Sequence, residues 1–217
     1  MSTAAALAAS SRVLRGHNDT LAVHCVNIAR EIFDRSLSLK PAQPVNPRFA
    51  GWQILSKVQT ASELYLATGE GQYLDFILSH WDDCVNNIGS CGWYLARIEK
   101  GLESQRKYRK QCETFRSALK KYKFQLDLQA DETPYGVPYR PSIWGAGWDI
   151  QSFGYRHYFL AKEYPEIFTP DPVMNALNFI LGCHPGVNQA SFAGGICAWR
   201  WLFPLYVPCP CREGPDV

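Results

Sequence analysis

Apolar side chains recur every three or four residues along most of the chain, which is the spacing of amphipathic helices. Leu21, Cys25, Ile28 and Ile32, for example, fall on one helical face that continues to Leu37. The pattern predicts an all-α fold of about seven helices without a strand. The apolar stripes cover 3–15, 21–37, 52–68, 73–81, 103–127, 150–161 and 171–181, with a further short helix over 93–100.

Glycine, asparagine and proline mark where these helices begin and end. Gly16 is expected to end the first helix, and Asn18 or Asp19 to cap the second. Asp171 and Pro172 are predicted to be the N-cap and first residue of the last helix. Short glycine turns between apolar stripes favour antiparallel neighbours, so the chain is expected to consist of helical hairpins.

Two connections between helices can be placed from the sequence. The proline-broken segment 39–48, LKPAQPVNPR, joins helices rather than domains. Asn86–Gly92 is predicted to be a turn that leads into the short helix. Cys84 and Cys91 lie at this turn and are expected to form a disulfide only under oxidising conditions.

The stretch Thr133–Ile150, TPYGVPYRPSIWGAGWDI, interrupts the helical pattern. Its three prolines exclude a helix and weaken any strand, so a long ordered loop is predicted. Its rings have two interpretations. Tyr135, Tyr139, Trp144 and Trp148 either stack on sugar faces in a concave site or plug a junction between helices.

Composition and charge exclude several classes of partner. The chain has 217 residues, of which 47% are hydrophobic and 19% charged, as in soluble globular proteins. Its net charge of +2 indicates no general affinity for nucleic acid or for a membrane surface. No apolar run is long enough for a membrane span. The basic residues of 103–127 are interpreted as a solvated helix face, with a polyanion-binding face as the alternative.

The N-terminus and the cysteines suggest an intracellular chain. MSTAAALAASSRVLRG lacks a basic start and a long apolar core, so it does not resemble a signal peptide. The eight cysteines are scattered, and those on helical patterns are interpreted as reduced thiols that pack like small apolar side chains. As it stands, the chain is expected to be cytoplasmic.

Two segments in the second half of the chain, in this order, resemble glycoside hydrolase family 9. They are PYGVPYRPSIWGAGWDIQ over 134–151 and NALNFILGCHPGVNQASFAGGI over Asn175–Ile196. KVQTASELYLATGEGQYLDFIL over Lys57–Leu78 also resembles a helical hairpin of that family. The resemblance implies an incomplete (α/α)6 toroid over 1–197, followed by an irregular tail over 198–217. It also implies an activity on β-linked glucan or glucosamine chains, and full-length relatives are often secreted.

The catalytic groups that the resemblance implies are missing. Family 9 enzymes are inverting, with an early Asp pair of the Asp-Ala-Gly-Asp type and a late acid Glu. Asp82 and Asp83 do not match this pair, because adjacent residues of a helix point in different directions. Glu213 has no family counterpart. No residue is therefore predicted to be catalytic, and the chain is expected to be inactive.

The chain changes character after Ile196. CAWRWLFPLYVPCPCREGPDV is apolar and rich in proline and cysteine, without a usable period, and resembles translation in a shifted frame. Cys197, Cys209, Cys211 and His184 are the alternative, a zinc site, but their spacing fits no standard zinc pattern. No metal and no cofactor are predicted.

Five residues are predicted to bind substrate, and the expected partner is an oligo- or polysaccharide. They are Tyr139, Trp144, Trp148, Asp149 and His184. Asp149 has a second interpretation as the N-cap of the following helix. An open half-toroid also exposes apolar surface, so self-association through the open helical face is expected. Two functions remain open: an inactive glycosidase-like domain, or a non-catalytic carbohydrate-binding or interaction module.

Overall fold

The structure is a computed structural model that describes residues 1–39, 50–139 and 146–183. All regular structure in these ranges is helical, without a strand, so the prediction of an all-α fold is confirmed. Nine α-helices are described instead of about seven, partly because the stripe predicted over 73–81 is broken at His80. The helices are α1 (Ser2–Leu14), α2 (Asp19–Ser38), α3 (Ala50–Thr68), α4 (Gly71–Ser79), α5 (Trp81–Asn86), α6 (Ile88–Leu102), α7 (Arg109–Ala130), α8 (Ala146–Glu163) and α9 (Asp171–Leu181).

The chain divides into two compact units, 1–119 and 120–217. Helices α1 to α6 belong to the first unit and α8 and α9 to the second, while α7 contributes residues to both. Most of the connection predicted over 39–48 and the whole tail predicted over 198–217 lie outside the described residues.

Small side chains bring α1 close to α2 and α3 in the first unit. Ala4, Ala5 and Ala8 are buried on α1, which packs against both helices. Ser11 is buried one turn further on, where its hydroxyl donates a hydrogen bond to the carbonyl of Ala8 at 2.8 Å. Alanine is both the strongest helix former and a small residue, so the same side chains favour the helix and its close packing.

The boundary predicted between the first two helices is confirmed. Gly16 has a φ of +80°, a left-handed conformation that favours glycine. Asn18 is the N-cap of α2, and its Oδ1 accepts a hydrogen bond from the N–H of Leu21 at 3.0 Å. Asp19 instead accepts from the N–H of Gly16 at 2.8 Å and so closes the turn.

The turn predicted over Asn86–Gly92 is wrong, because α6 already begins at Ile88. Cys91 and Gly92 are buried in this first part of α6. A Cβ added at Gly92 would lie 3.4 Å from a methyl group of Leu119. Burial of this helix face outweighs the cost of a glycine within a helix, about 1 kcal/mol. The helix predicted from residue 103 begins later, at Arg109, after a 3-10 turn over Arg106–Tyr108.

Two buried carboxylates of the first unit are paired with arginines. Glu63 of α3 accepts hydrogen bonds from Arg12 of α1 on one oxygen and from Arg97 of α6 on the other. Glu99 of α6 is fully buried and accepts a hydrogen bond from Nε of Arg116 at 3.1 Å. Burial of an unpaired charge costs several kcal/mol, so these pairs restrict how the four helices that carry them can pack.

In the second unit, α8 and α9 meet at two small residues. A Cβ added at Gly154 of α8 would lie 3.0 Å from Cβ of Ala176 on α9, so the two helices approach as closely as a glycine allows. Val137, Ile150 and Ala176 form the apolar cluster beside this contact. Within the described residues, this cluster therefore depends on α8 and α9 staying together.

The predicted ends of the last helix are partly correct. Gly182 has a φ of +75° and ends α9, as expected. The N-cap prediction is wrong by one residue, because Pro170 precedes the helix and Asp171 is its first residue. Asp171 still lies in the first turn, where a negative charge interacts favourably with the helix dipole.

Replacement of Glu63 by glutamine tests the buried charge network. Glu63→Gln leaves two partly buried guanidinium groups without their carboxylate, and we expect the free energy of unfolding to fall by about 3–5 kcal/mol. Urea unfolding followed by circular dichroism measures this loss. The control is Glu113→Gln, which removes an exposed pair with Arg109 and is expected to cost no more than about 0.5 kcal/mol. Equal losses of unfolding free energy in the two variants would contradict the assignment of Glu63 to a buried charge network.

Candidate functional site

The predicted aromatic loop is shorter than the sequence indicated. Helix α8 begins at Ala146, so Trp148 and Asp149 lie in its first turn and not in a loop. The interpretation of Asp149 as an N-cap is therefore wrong. Its side chain is exposed in the first turn, where the helix dipole favours a carboxylate. Trp144 and His184 lie outside the described residues.

The described part of the loop is tied to α9. Gly136 has a φ of +62°, and its carbonyl accepts a hydrogen bond from the side-chain amide of Asn175 at 3.1 Å. The positive φ favours glycine at this position, and a Cβ there would lie 2.7 Å from Nδ2 of Asn175, so a larger residue would also have to displace this side chain. Thr133 closes the turn at the start of the loop, because its hydroxyl donates a hydrogen bond to the carbonyl of Val137 at 3.0 Å.

Two rings of the loop lie against the core of the second unit. Tyr135 packs edge to face on Phe179 of α9, with ring centroids 5.0 Å apart. Tyr139 is partly buried and packs against the apolar cluster that contains Ile150. These contacts favour the interpretation of Tyr135 and Tyr139 as rings that plug a junction between helices. Of the two, Tyr139 was also predicted to bind substrate, and it keeps part of its surface exposed.

The face of α8 opposite Ile150 presents aromatic rings to solvent. Trp148 is 79% exposed, Tyr155 44% and Tyr158 51%, and we call these three residues the α8 aromatic face. Phe159 packs against both tyrosines, with its ring centroid 6.4 Å from that of Tyr155 and 5.5 Å from that of Tyr158. Each tyrosine ring therefore packs edge to face against Phe159.

Helical geometry sets the spacing of this face. Trp148 and Tyr155 are seven residues apart, so they project from the same side of α8 about 10.5 Å apart along its axis. Sequence reasoning selected Trp148 but missed Tyr155 and Tyr158 as candidates. The spacing of seven was visible in the sequence, but it became meaningful only when α8 was known to begin before Trp148.

The inner face of α8 carries a buried histidine. Nε2 of His157 donates a hydrogen bond to the carbonyl of Thr169 at 3.0 Å, and the buried Nδ1 has no hydrogen-bond partner in the described residues. Phe153 and Phe168 contact the ring at centroid distances of 5.2 and 5.3 Å. Burial lowers the pKa of His157, so the ring is neutral in the folded chain at neutral pH. These contacts give His157 a structural role.

Within the described ranges, no group of three or more His, Cys, Asp or Glu side chains is arranged to hold a metal ion. None of the helices in those ranges has both the length and the apolar character needed to cross a membrane. Comparisons of the chain with family models, with curated proteins and with solved structures found no match. The likeness to glycoside hydrolase family 9 therefore stays a proposal that depends on the sequence motifs.

Protonation of His157 is expected to destabilise the fold. Its pKa is lower in the folded chain than in the unfolded chain, so the unfolded state binds the proton first as the pH falls. Stability is then lost below about pH 6.5, until the pH passes the lower folded pKa. Lys123 also lowers this pKa, while Asp127 and the bond to Thr169 oppose the shift.

Urea midpoints measured between about pH 7.5 and pH 5 test this expectation. We expect the fall in the midpoint to be smaller in His157→Gln, which cannot take up a proton, whatever its stability at pH 7.5. The control is His80→Gln, because His80 is partly exposed and its Nδ1 lies 3.5 Å from the carboxylate of Asp83. A fall of the same size in the parent and in His157→Gln would contradict the role given to His157.

Proposed function

We propose that this chain is part of a glycoside hydrolase family 9-like (α/α)6 toroid that holds β-linked glucan or glucosamine chains without cleaving them. The sequence motifs over 134–151 and Asn175–Ile196 support the family, and the consecutive helices support the architecture. The single observation that carries the binding function is the α8 aromatic face, whose Trp148 lies within the first of these motifs.

The α8 aromatic face suits a sugar chain better than a purely apolar ligand. Pyranose rings have apolar faces that stack on flat aromatic side chains, and their hydroxyl groups need polar partners at the edges. The separation of Trp148 and Tyr155, about 10.5 Å along the axis, is comparable to the length of two linked pyranose rings. The indole N–H of Trp148 and the phenol of Tyr158 are polar groups that can hydrogen-bond to sugar hydroxyls at the rim.

Asp149 adds an exposed carboxylate about 100° around the helix axis from Trp148, at the edge of the α8 aromatic face. It follows Trp148 in the first turn of α8, and its side chain is exposed. An ionised carboxylate accepts hydrogen bonds from two neighbouring hydroxyl groups, which is how polar residues orient a sugar on a stacking ring. A single helix face gives a shallow site. We therefore expect a dissociation constant in the millimolar range, which corresponds to a binding free energy of about 4 kcal/mol.

The two buried carboxylates of the first unit, Glu63 and Glu99, are paired with arginines, and this pairing supports a function in binding without cleavage. Glycoside hydrolysis requires one carboxyl group as an acid and a second as a base or nucleophile across the scissile bond. Both oxygens of Glu63 already accept hydrogen bonds from arginines, and Glu99 is fully buried beside Arg116. Asp149 is exposed, and among the described residues no second carboxylate matches the family pattern.

Titration of the chain with cellotetraose tests the binding proposal. We expect weak saturable binding by calorimetry or fluorescence, and a loss of affinity of about 3–10-fold in Trp148→Ala, from removal of one stacking ring. The matched control is Trp52→Ala, because Trp52 is also highly exposed, at 69%, but lies in the first unit. This variant is expected to bind as the parent does.

Two results would contradict the proposal. The first is an equal loss of affinity in Trp148→Ala and Trp52→Ala, and the second is an absence of saturable binding by the parent. If the parent does not bind but sediments as a concentration-dependent oligomer that Trp148→Ala disrupts, the α8 aromatic face is an association surface. That result would favour the interaction module.

Absence of hydrolysis is a separate expectation. We expect no new reducing ends when the purified chain is incubated with cello- or chito-oligosaccharides, because the acid and base that accelerate cleavage are not provided. A family 9 cellulase in the same assay is the positive control. Release of reducing sugar that survives repurification and disappears in Asp149→Asn would show that the chain is an active enzyme.

A further inference from the structure

Cys84 and Cys91 form a buried thiol pair where α5 meets α6. Both side chains are fully buried, and neither is in a disulfide. Asn87 alone separates the two helices. Its N–H donates to the carbonyl of Cys84 at 3.1 Å, and its carbonyl accepts from the N–H of Cys91 at 3.2 Å. These backbone hydrogen bonds fix the two cysteines relative to one residue.

The two thiols are in direct contact. The side chain of Cys84 is hydrogen-bonded to that of Cys91, and this bond together with burial raises the pKa of the Cys84 thiol. Such a thiol stays protonated at neutral pH and reacts slowly while the junction is closed. Cys112 is a useful contrast: burial and the neighbouring carboxylate of Glu99 raise its pKa to about 12, and its contact is an acid instead of a second thiol.

We propose that Cys84 and Cys91 are a disulfide site that is oxidised by low-molecular-weight disulfides such as oxidised glutathione. Opening of the α5–α6 junction lets one thiolate attack the reagent, which forms a mixed disulfide and releases one glutathione thiolate. The second cysteine thiolate then attacks the mixed disulfide and releases the second glutathione. The two released thiolates take up the two protons that the cysteines lose. The protein loses two electrons, and the reagent gains them.

The proposed disulfide joins two cysteines that are close in sequence, so it constrains only the chain around the α5–α6 junction. A disulfide between Cys84 and Cys91 closes a small loop and limits the freedom of the unfolded chain around α5 and α6. The two side chains already interact in the reduced chain. Reduction reverses the bond, so the state of the pair follows the thiol–disulfide balance around the chain.

Peptide mapping of the intact chain tests this site. The reduced protein is incubated under native conditions in glutathione buffers of graded redox ratio, quenched with N-ethylmaleimide in denaturant and digested with trypsin. Both cysteines lie in one tryptic peptide, 58–97, because no Lys or Arg separates them, whereas Cys112 lies in peptide 111–116. In oxidising buffers we expect peptide 58–97 to carry no N-ethylmaleimide and to have two hydrogens fewer than its unlabelled reduced form. Peptide 111–116 is expected to stay labelled.

The stability of the oxidised chain is the second readout. We expect its thermal midpoint to rise by roughly 5–10 °C and to return after treatment with dithiothreitol. Cys84→Ser is expected to remove this shift, and Cys112→Ser to retain it. Full labelling of peptide 58–97 at every redox ratio would overturn the proposal, because the cysteines would then only fill space. An oxidised chain that melts below the reduced one would overturn it as well.

Discussion

The contact between Gly154 and Ala176 is the constraint on which the second unit depends. It lets α8 and α9 approach so closely that any side chain at 154 would press on Ala176. Ile150 then lies in the apolar cluster and His157 is buried on the same face of α8. Because a helix turns about 100° per residue, Trp148 and Tyr155 lie on roughly the opposite side of α8 from Ile150 and His157. Close packing of two helices therefore selects which rings of α8 meet solvent, and Trp148 is the most exposed of them.

The first unit is held by a different kind of interaction. Its buried carboxylates, Glu63 and Glu99, are matched by arginines from other helices, and this pairing is specific in geometry even where it adds little net stability. The same pairing has a chemical consequence, because a carboxylate occupied by guanidinium groups is poorly suited to exchange protons with a substrate.

Local signals in the sequence were sufficient for much of the fold. Gly16 and Gly182 end helices because their left-handed conformation is a property of the residue itself, and Asn18 caps α2 through a contact three residues away. Interactions between distant segments could not be read in this way. The early start of α6 depends on Gly92 packing near Leu119, and the pairing of Glu63 spans three helices.

In the candidate site, too, local sequence signals identified some residues, while others depended on the three-dimensional structure. Trp148 and Asp149 could be selected by residue type, but their place on α8 and the participation of Tyr155 and Tyr158 required knowledge of where the helix begins. The plug role of Tyr135 depends on Phe179, which is distant in the sequence and therefore invisible to any local pattern.

Indole N–H resonances offer the most direct test of the central claim, that a β-linked glucan stacks on the outward face of α8. In a ¹H–¹⁵N spectrum assigned with Trp148→Phe, addition of cellotetraose should shift the indole signal of Trp148. The signals of Trp81 and Trp93, which are buried in the first unit, should stay in place. A Trp148 signal that does not move at millimolar ligand, or shifts confined to the buried tryptophans, would contradict the claim.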